Sequence, residues 1–298
     1  MRKFALLMVG FVLTVSFTFN VLHANASTDA TAVNFEHLHK TALIAAASYQ
    51  QYEDAKKNIT SQGWELVRHY EMPGNAVQYL LLRNGQEQVI AVRGTSNAEN
   101  VVVDLDLQLE PDAKLGIDLH KGFAAAALSV WQDVESKLDK TMPVRTTGHS
   151  LGGAVAVILA MHLHHGGYLL TDVTTYGQPK VTNVQGAKAY ADLPLTRVVT
   201  PMDVVPIVPP LSPLDLKRLD IYWHNGQEIV LVQAGQYALL QGMKSMLRAA
   251  GFLNKVPDET NVQAHQMDTY LNLLNHNRKQ AQEVPFKTTF NLLGLSFE

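Results

Sequence analysis

The sequence predicts an α/β fold with a mostly parallel central sheet and helices on both faces. Short β-rich runs alternate with helical runs along the 298-residue chain. One helical run, Leu151 to His164, is apolar nearly all round, so it must be buried on every side. Between a short strand and that helix stands Gly148-His149-Ser150-Leu151-Gly152, a pattern that suits a strained strand-to-helix turn.

Taken in order, Phe35 to Tyr52 reads as a helix with an Ala-rich apolar stretch. Val77 to Leu82 and Gln88 to Val92 read as strands, joined at Asn84-Gly85, where both positions tolerate positive φ. Gly122 to Leu138 reads as a helix and Val144 to Thr147 as a short strand. Asp172 to Tyr176 and Leu195 to Thr200 are the next strands. Ile221 to His224 and Glu228 to Val232 read as a second hairpin around Asn225-Gly226. Apolar residues at 239, 243, 246, 250 and 253 give Ala234 to Leu253 helical spacing. Gln266 to Asn275 reads as a last short helix.

Residues 1–26 read as a signal peptide. Arg2 and Lys3 open it, an apolar run extends from Phe4 to Phe19, and Ala24-Asn25-Ala26 offers a cleavage site. Residues 27–298 are then expected to form one domain, since no linker or repeat divides them, and the product is expected to be exported. Loss of Arg2 and Lys3 lowers the formal charge from −3 by two, too mild a change to imply a nucleic-acid partner. The chain has no cysteine, so thiol catalysis and disulfides are excluded. An exported protein without disulfides also favours a bacterial source.

The Gly-x-Ser-x-Gly pattern implies nucleophilic serine chemistry at Ser150. In a chain with 19 Gly it arises by chance about 0.04 times, so its occurrence between strand and helix carries information. An oxyanion needs two donors. The N–H of Leu151, next after the serine, is one candidate. Thr95, in the turn Arg93-Gly94-Thr95 after an early strand, is the other.

In such a fold the order is Ser, then Asp or Glu, then His. Asp203 follows the strand Leu195 to Thr200, at the sheet edge where Ser150 lies, between Pro201 and Pro206. Its rivals Asp192, Asp215 and Asp220 lie before a strand or in a Pro-broken connection. Of the later histidines, His265 follows the last expected strand and opens the last helix. His224 sits at the expected hairpin and His276 at the far end of its helix. His162, His164 and His165 read as a helix terminus, weak as a metal site. No metal or cofactor is expected.

These residues resemble the class 3 lipases, the fungal-lipase-like branch of the α/β-hydrolases. The resemblance covers most of residues 35 to 275. It runs through Arg93-Gly94-Thr95, His120-Lys121-Gly122-Phe123, Gly148 to Gly153, Thr175 to Val181, Asp203-Val204-Val205-Pro206 and Tyr222 to Glu228. It implies a Ser150–Asp203–His265 triad, with His265 in Ala264 to Tyr270, and Thr95 and Leu151 as oxyanion donors. Two departures stand out. The fungal members carry disulfides, and their lid tryptophan is absent from Asn100 to Leu105.

The expected substrate is a lipid carboxylic ester, with triacylglycerol first and phospholipid (A1 type) or short-chain esters as alternatives. A non-catalytic lipid-binding protein on the same fold is the alternative of another class. Transient contact with a lipid surface is also expected, through Asn97 to Leu109 or Ala234 to Leu253 as a cover over Ser150. The sequence leaves the oligomeric state open.

Overall fold

The structure, a computed structural model, describes residues 32–71, 77–94, 108–209, 221–242, 245, 258–286, 290–292 and 295–297. The expected signal peptide, Thr95, most of the first candidate cover and half of the second lie outside these residues. Residues 34–298 group into one compact unit.

Helix α1 (Phe35–Ala47) starts at Asn34, whose side chain accepts the His37 N–H. The expected continuation to Tyr52 does not occur. Ser48 Oγ turns back onto the Ala45 carbonyl at 2.6 Å, and a new helix, α2 (Tyr52–Ser61), begins beyond it. Such a serine competes with the helix for its own carbonyls.

Strands β1 (Glu65–Glu71), β2 (Gln78–Arg83) and β3 (Gln88–Val92) form an antiparallel meander. As expected, Gly85 turns the second hairpin with φ +81°. Side chains alternate across the sheet. Tyr79, Leu81, Ile90 and Val92 enter one core; Leu80, Leu82, Val89 and Ala91 enter another, under α1 and α2. Both faces are thus buried, which explains why β2 and β3 read as apolar runs.

The chain then makes β4 (Leu109–Asp112), β5 (Ile117–His120), α3 (Lys121–Val134), β6 (Val144–His149) and α4 (Leu151–His165). Every residue from Gly152 to Leu163 is buried. Helix α4 packs with Phe123, Val130 and Trp131 of α3 in the larger core. Burying each Val, Leu or Ile of this helix contributes about 1.5–3 kcal/mol.

After α4 come β7 (Leu170–Tyr176), β8 (Thr182–Asn183), α5 (Val184–Ala189) and β9 (Leu195–Val199). They are followed by β10 (Tyr222–Trp223), β11 (Gln227–Gln233) and β12 (Gln236–Leu240). Helices α6 (Glu259–His265) and α7 (Met267–Asn277) and strand β13 (Gln282–Glu283) come next. Among the described residues the large sheet has the order β1-β2-β3-β6-β7-β9-β11-β12-β13. Its middle, β3 through β11, is parallel throughout. This is the α/β-hydrolase fold.

Two expectations need correction. Tyr222–Trp223 and Glu228–Val232 are not a hairpin. Strand β10 pairs with β8 in a small second sheet, whereas β11 pairs in parallel with β9. Gly226 does take φ +74°, but its turn passes the chain from one sheet to the other. The helix expected from Ala234 is a strand over Gln236–Leu240. Gly235, at φ +77°, closes a hairpin, and Leu239 pairs with Ile229. The helical spacing lost because pairing with β11 satisfies the backbone of this segment.

Arg197 of β9 and Glu228 of β11 face each other in register, both buried, at 2.8 Å. Arg197 also donates to the Asn225 carbonyl at 2.9 Å and to Ser245 Oγ at 3.1 Å, and Ser245 donates to Glu228.

Two buried histidines make stability depend on pH. Burial pushes the His149 imidazole down to about 3. Burial, with the nearby charges of Arg197 and Lys180, holds His224 well below its ordinary range. The unfolded chain binds protons at both near pH 6.5 while the folded chain does not, so stability falls as pH drops below that point. Urea midpoints should be steady from pH 8 to 7 and decline clearly by pH 5. Replacing His224 with Asn should reduce that decline.

Candidate active site

Strand β6 ends at His149 and α4 starts at Leu151, so Ser150 alone makes the turn between them. It holds φ 58° and ψ −132°, a region that costs a non-glycine residue about 1–3 kcal/mol. The tight turn needs the flanking glycines. A Cβ on Gly152 would lie 2.2 Å from the Val92 carbonyl oxygen, and one on Gly148 would lie 2.4 Å from that of Gly152. The helix therefore starts against the end of β3.

Asp203 follows β9. Its Oδ1 accepts the N–H of Val205 at 2.9 Å, and a short 3₁₀ turn at Val205–Ile207 with Pro206 inside it comes next. His265 is the last residue of α6, rather than the first of the final helix as expected. Strand β13 follows it, so it does not lie beyond the last strand either. The placement of α6 has a local cause. Asp258 caps it and Asn261 completes a capping box. Asn261 Nδ2 also donates to the Met202 carbonyl at 2.7 Å, and Thr200 Oγ1 donates to that of Ala264 at 3.0 Å. These bonds dock α6 onto the loop that carries Asp203.

The three residues meet. His265 Nε2 lies 2.8 Å from Ser150 Oγ, and His265 Nδ1 lies 2.8 Å from Asp203 Oδ2. All three are at most 2% exposed. Burial alone would raise the Asp203 carboxyl. The charge and hydrogen bond of His265, the Tyr270 hydroxyl and the Val205 N–H outweigh it and hold the group below its usual range. Asp203 therefore stays ionised, accepts from Nδ1–H, and leaves Nε2 free to accept the serine proton. Leu151 opens α4, where an N–H has no partner within the helix.

The rivals are elsewhere. His224 Nε2 donates to the Pro206 carbonyl at 2.7 Å. His276 Nδ1 is 2.7 Å from the Asn272 carbonyl on an exposed turn. Asp192 is exposed beside His164, and Asp215 and Asp220 lie outside the described residues. His162 stacks on Trp131. Among the described residues no group of three or more acidic or histidine side chains could hold a metal ion.

Sequence reasoning missed several supporting residues. The Tyr270 hydroxyl donates to Asp203 Oδ2, the oxygen that also accepts from His265. The buried Lys180 ammonium donates to the Ile207 carbonyl and, at 2.7 Å, to that of Pro209. With His224 it fixes the segment behind Asp203. Tyr270 was visible only as part of a family-like segment, and nothing in the spacing marked Lys180.

A comparison with protein families matches residues 89–212 to the class 3 lipases. That stretch contains both the serine elbow and Asp203. Over that stretch the chain is similar to the class 3 lipases. It is 34% identical over 109 residues to the secreted mono- and diacylglycerol lipase 1 of Fusarium solani, covering 33% of this chain and 31% of that protein. It is 30% identical over 178 residues to a lipase of Rhizomucor miehei, covering 51% and 47%. Among solved structures, lipase II from Rhizopus niveus superposes with a TM-score of 0.56 at 25% identity, over 66% of this chain and 80% of that one. The chain thus spans about a third to a half of the length of the curated relatives named here. The class 3 lipase match ends at residue 212, so it does not reach His265.

Proposed function

We propose that this chain hydrolyses carboxylic esters of lipids, as a triacylglycerol lipase would, with Ser150, His265 and Asp203 as its catalytic triad. The observation that carries the reading is the hydrogen-bonded line from Ser150 Oγ through His265 to Asp203, with 2.8 Å at each step. Ser150 Oγ attacks the ester carbonyl while His265 Nε2 takes its proton. The imidazolium then gives that proton to the leaving alcohol, and an acyl-Ser150 remains. Water, deprotonated by His265, releases the fatty acid and restores the serine. The N–H of Leu151 and a donor from Thr95 hold the oxyanion in this scheme. No metal or cofactor takes part.

Support for a lipid ester comes from the family and from the names of its relatives. The near-complete burial of Ser150 and His265 favours a site that opens at a lipid surface over one always open to water. Export after cleavage at Ala26 belongs to the same proposal. It is supported by the N-terminal pattern and by the Fusarium solani relative, which is named as secreted. Among the described residues no helix is long and apolar enough to cross a membrane.

The test is hydrolysis across a series of triacylglycerols, a phosphatidylcholine and short-chain esters, each below and above its solubility limit. The proposal expects the rate on long-chain triacylglycerol to rise sharply once an interface forms. Activity confined to dissolved short-chain esters would make the protein an esterase. Release of fatty acid from phosphatidylcholine alone would make it a phospholipase.

A further inference from the structure

We propose that Tyr49 and His149 form a positioning relay that holds three separate pieces of the site in register: the turn at Gly94, the nucleophile elbow and the backbone of His265. The inference rests on the hydrolytic reading of Ser150, Asp203 and His265, and adds two residues that the triad itself does not use.

His149 is the residue just before the nucleophile, and its ring is buried behind the site. Its Nδ1 lies 2.8 Å from the Tyr49 hydroxyl, and its Nε2 lies 2.7 Å from the carbonyl oxygen of His265. The Tyr49 oxygen in turn takes the backbone N–H of Gly94. The fit at Gly94 is close: a Cβ there would lie 2.5 Å from the Tyr49 oxygen and 2.6 Å from the His149 carbonyl oxygen.

Chemistry fixes the direction of every bond. A carbonyl oxygen can only accept, so His149 carries its proton on Nε2. Because His149 is neutral at working pH, its Nδ1 must accept, and the Tyr49 hydroxyl supplies that hydrogen. The Tyr49 oxygen is then free to accept from Gly94. The result is a one-way line, Gly94 N–H to Tyr49 O–H to His149 Nε2–H to the His265 carbonyl. Bonds aligned in one direction strengthen each other in a buried setting.

The line has a task that the triad cannot perform. His265 ends α6, and a carbonyl in the last turn of a helix has no partner within it. His149 supplies that partner from the residue next to Ser150. The base is thereby tied to its nucleophile through the backbone as well as through Nε2. Gly94 precedes Thr95, so the same line reaches the proposed oxyanion turn. The neutrality of His149 matters too. Its ring centroid is 4.6 Å from that of His265, and a charge there would oppose the imidazolium that forms during turnover.

The experiment compares Tyr49→Phe, His149→Gln and His149→Phe with wild type on a dissolved short-chain ester, well below each melting temperature. Tyr49→Phe removes a single oxygen and keeps the ring. His149→Gln keeps an N–H donor at the reach of Nε2, and His149→Phe keeps only bulk. The relay predicts that Tyr49→Phe and His149→Phe lower kcat by roughly 10- to 100-fold with KM within about twofold, since small misplacements cost this much. His149→Gln should recover most of the loss. Wild-type kcat in both Phe variants, or equal loss in His149→Gln and His149→Phe, would overturn the relay. Ser150→Ala and His265→Ala, run alongside, separate the two ideas. If those two lose activity and the Phe variants do not, the relay alone fails. If those two stay active, the hydrolytic reading fails as well.

Discussion

His265→Ala should lower ester turnover by roughly 10⁴-fold or more, a loss close to that of Ser150→Ala, because triad members act as a unit. His265 Nε2 is the partner of Ser150 Oγ among the described residues, and in the proposed triad its loss leaves the serine without its base and Asp203 without the ring it would orient. Loss of the ring also empties buried space, so the comparison needs a denaturation curve for each variant. His224→Ala is the informative control. His224 is bonded to the Pro206 carbonyl, so its removal should lower stability and leave most of the rate. Steady-state rates on one dissolved ester decide the matter. A nearly inactive His224→Ala beside an active His265→Ala would reverse the roles of the two histidines.

Glu228→Ala should cost about 3–5 kcal/mol of stability, read as a shift in the urea midpoint at pH 7, because it strands a buried guanidinium. Arg197 and Glu228 lie on adjacent parallel strands in the centre of the sheet, 2% and 1% exposed in their side chains. Truncating one partner removes the compensation and leaves the desolvation cost. Replacing both, as Arg197→Met with Glu228→Leu, should recover much of the loss, since apolar residues of similar volume avoid that cost. A Glu228→Ala variant within 1 kcal/mol of wild type would mean that the pair contributes little in this sheet.

Much of this was legible in the sequence, and the reasons differ by element. The nucleophile elbow was plain because three constraints coincide within five residues: two glycines that must be small, and a serine between a strand and an all-apolar helix. Strand β3 was also plain, since burial on both faces leaves a nearly continuous apolar run, whereas β6, β7 and β9 were legible from their Val and Thr content. Asp203 was legible from its place at the end of β9. His265 lies beside Ser150 and Asp203, in surroundings that differ from those its spacing suggests. It closes a short helix held by the capping box of Asp258 and Asn261, a local signal that the apolar spacing does not carry.

The failures share a cause. Tyr222–Trp223 beside Glu228–Val232 looks like a hairpin because the turn residues Asn225-Gly226 are right. The choice between pairing with each other and pairing with β8 and β9 is made by partners 31 to 41 residues away in sequence. Gln236–Leu240 likewise has helical spacing only when the residues after it are included, and the Gly235 turn overrides it. The supporting groups Tyr49, Lys180 and Tyr270 are invisible locally, because each acts on a segment distant in sequence. Thr95 lies outside the described residues, so its role as an oxyanion donor stays with the proposal.

Exposure of the protein to a fluorescent alkyl phosphonate, followed by intact-mass measurement and peptide mapping, tests the central claim most directly. A phosphonate reacts with a serine only where a base and an oxyanion site activate it. The account predicts one adduct per chain, carried by the peptide that contains Ser150, with loss of activity in step with labelling and no adduct on Ser150→Ala. An adduct on any other serine, or undiminished labelling of Ser150→Ala, would contradict it.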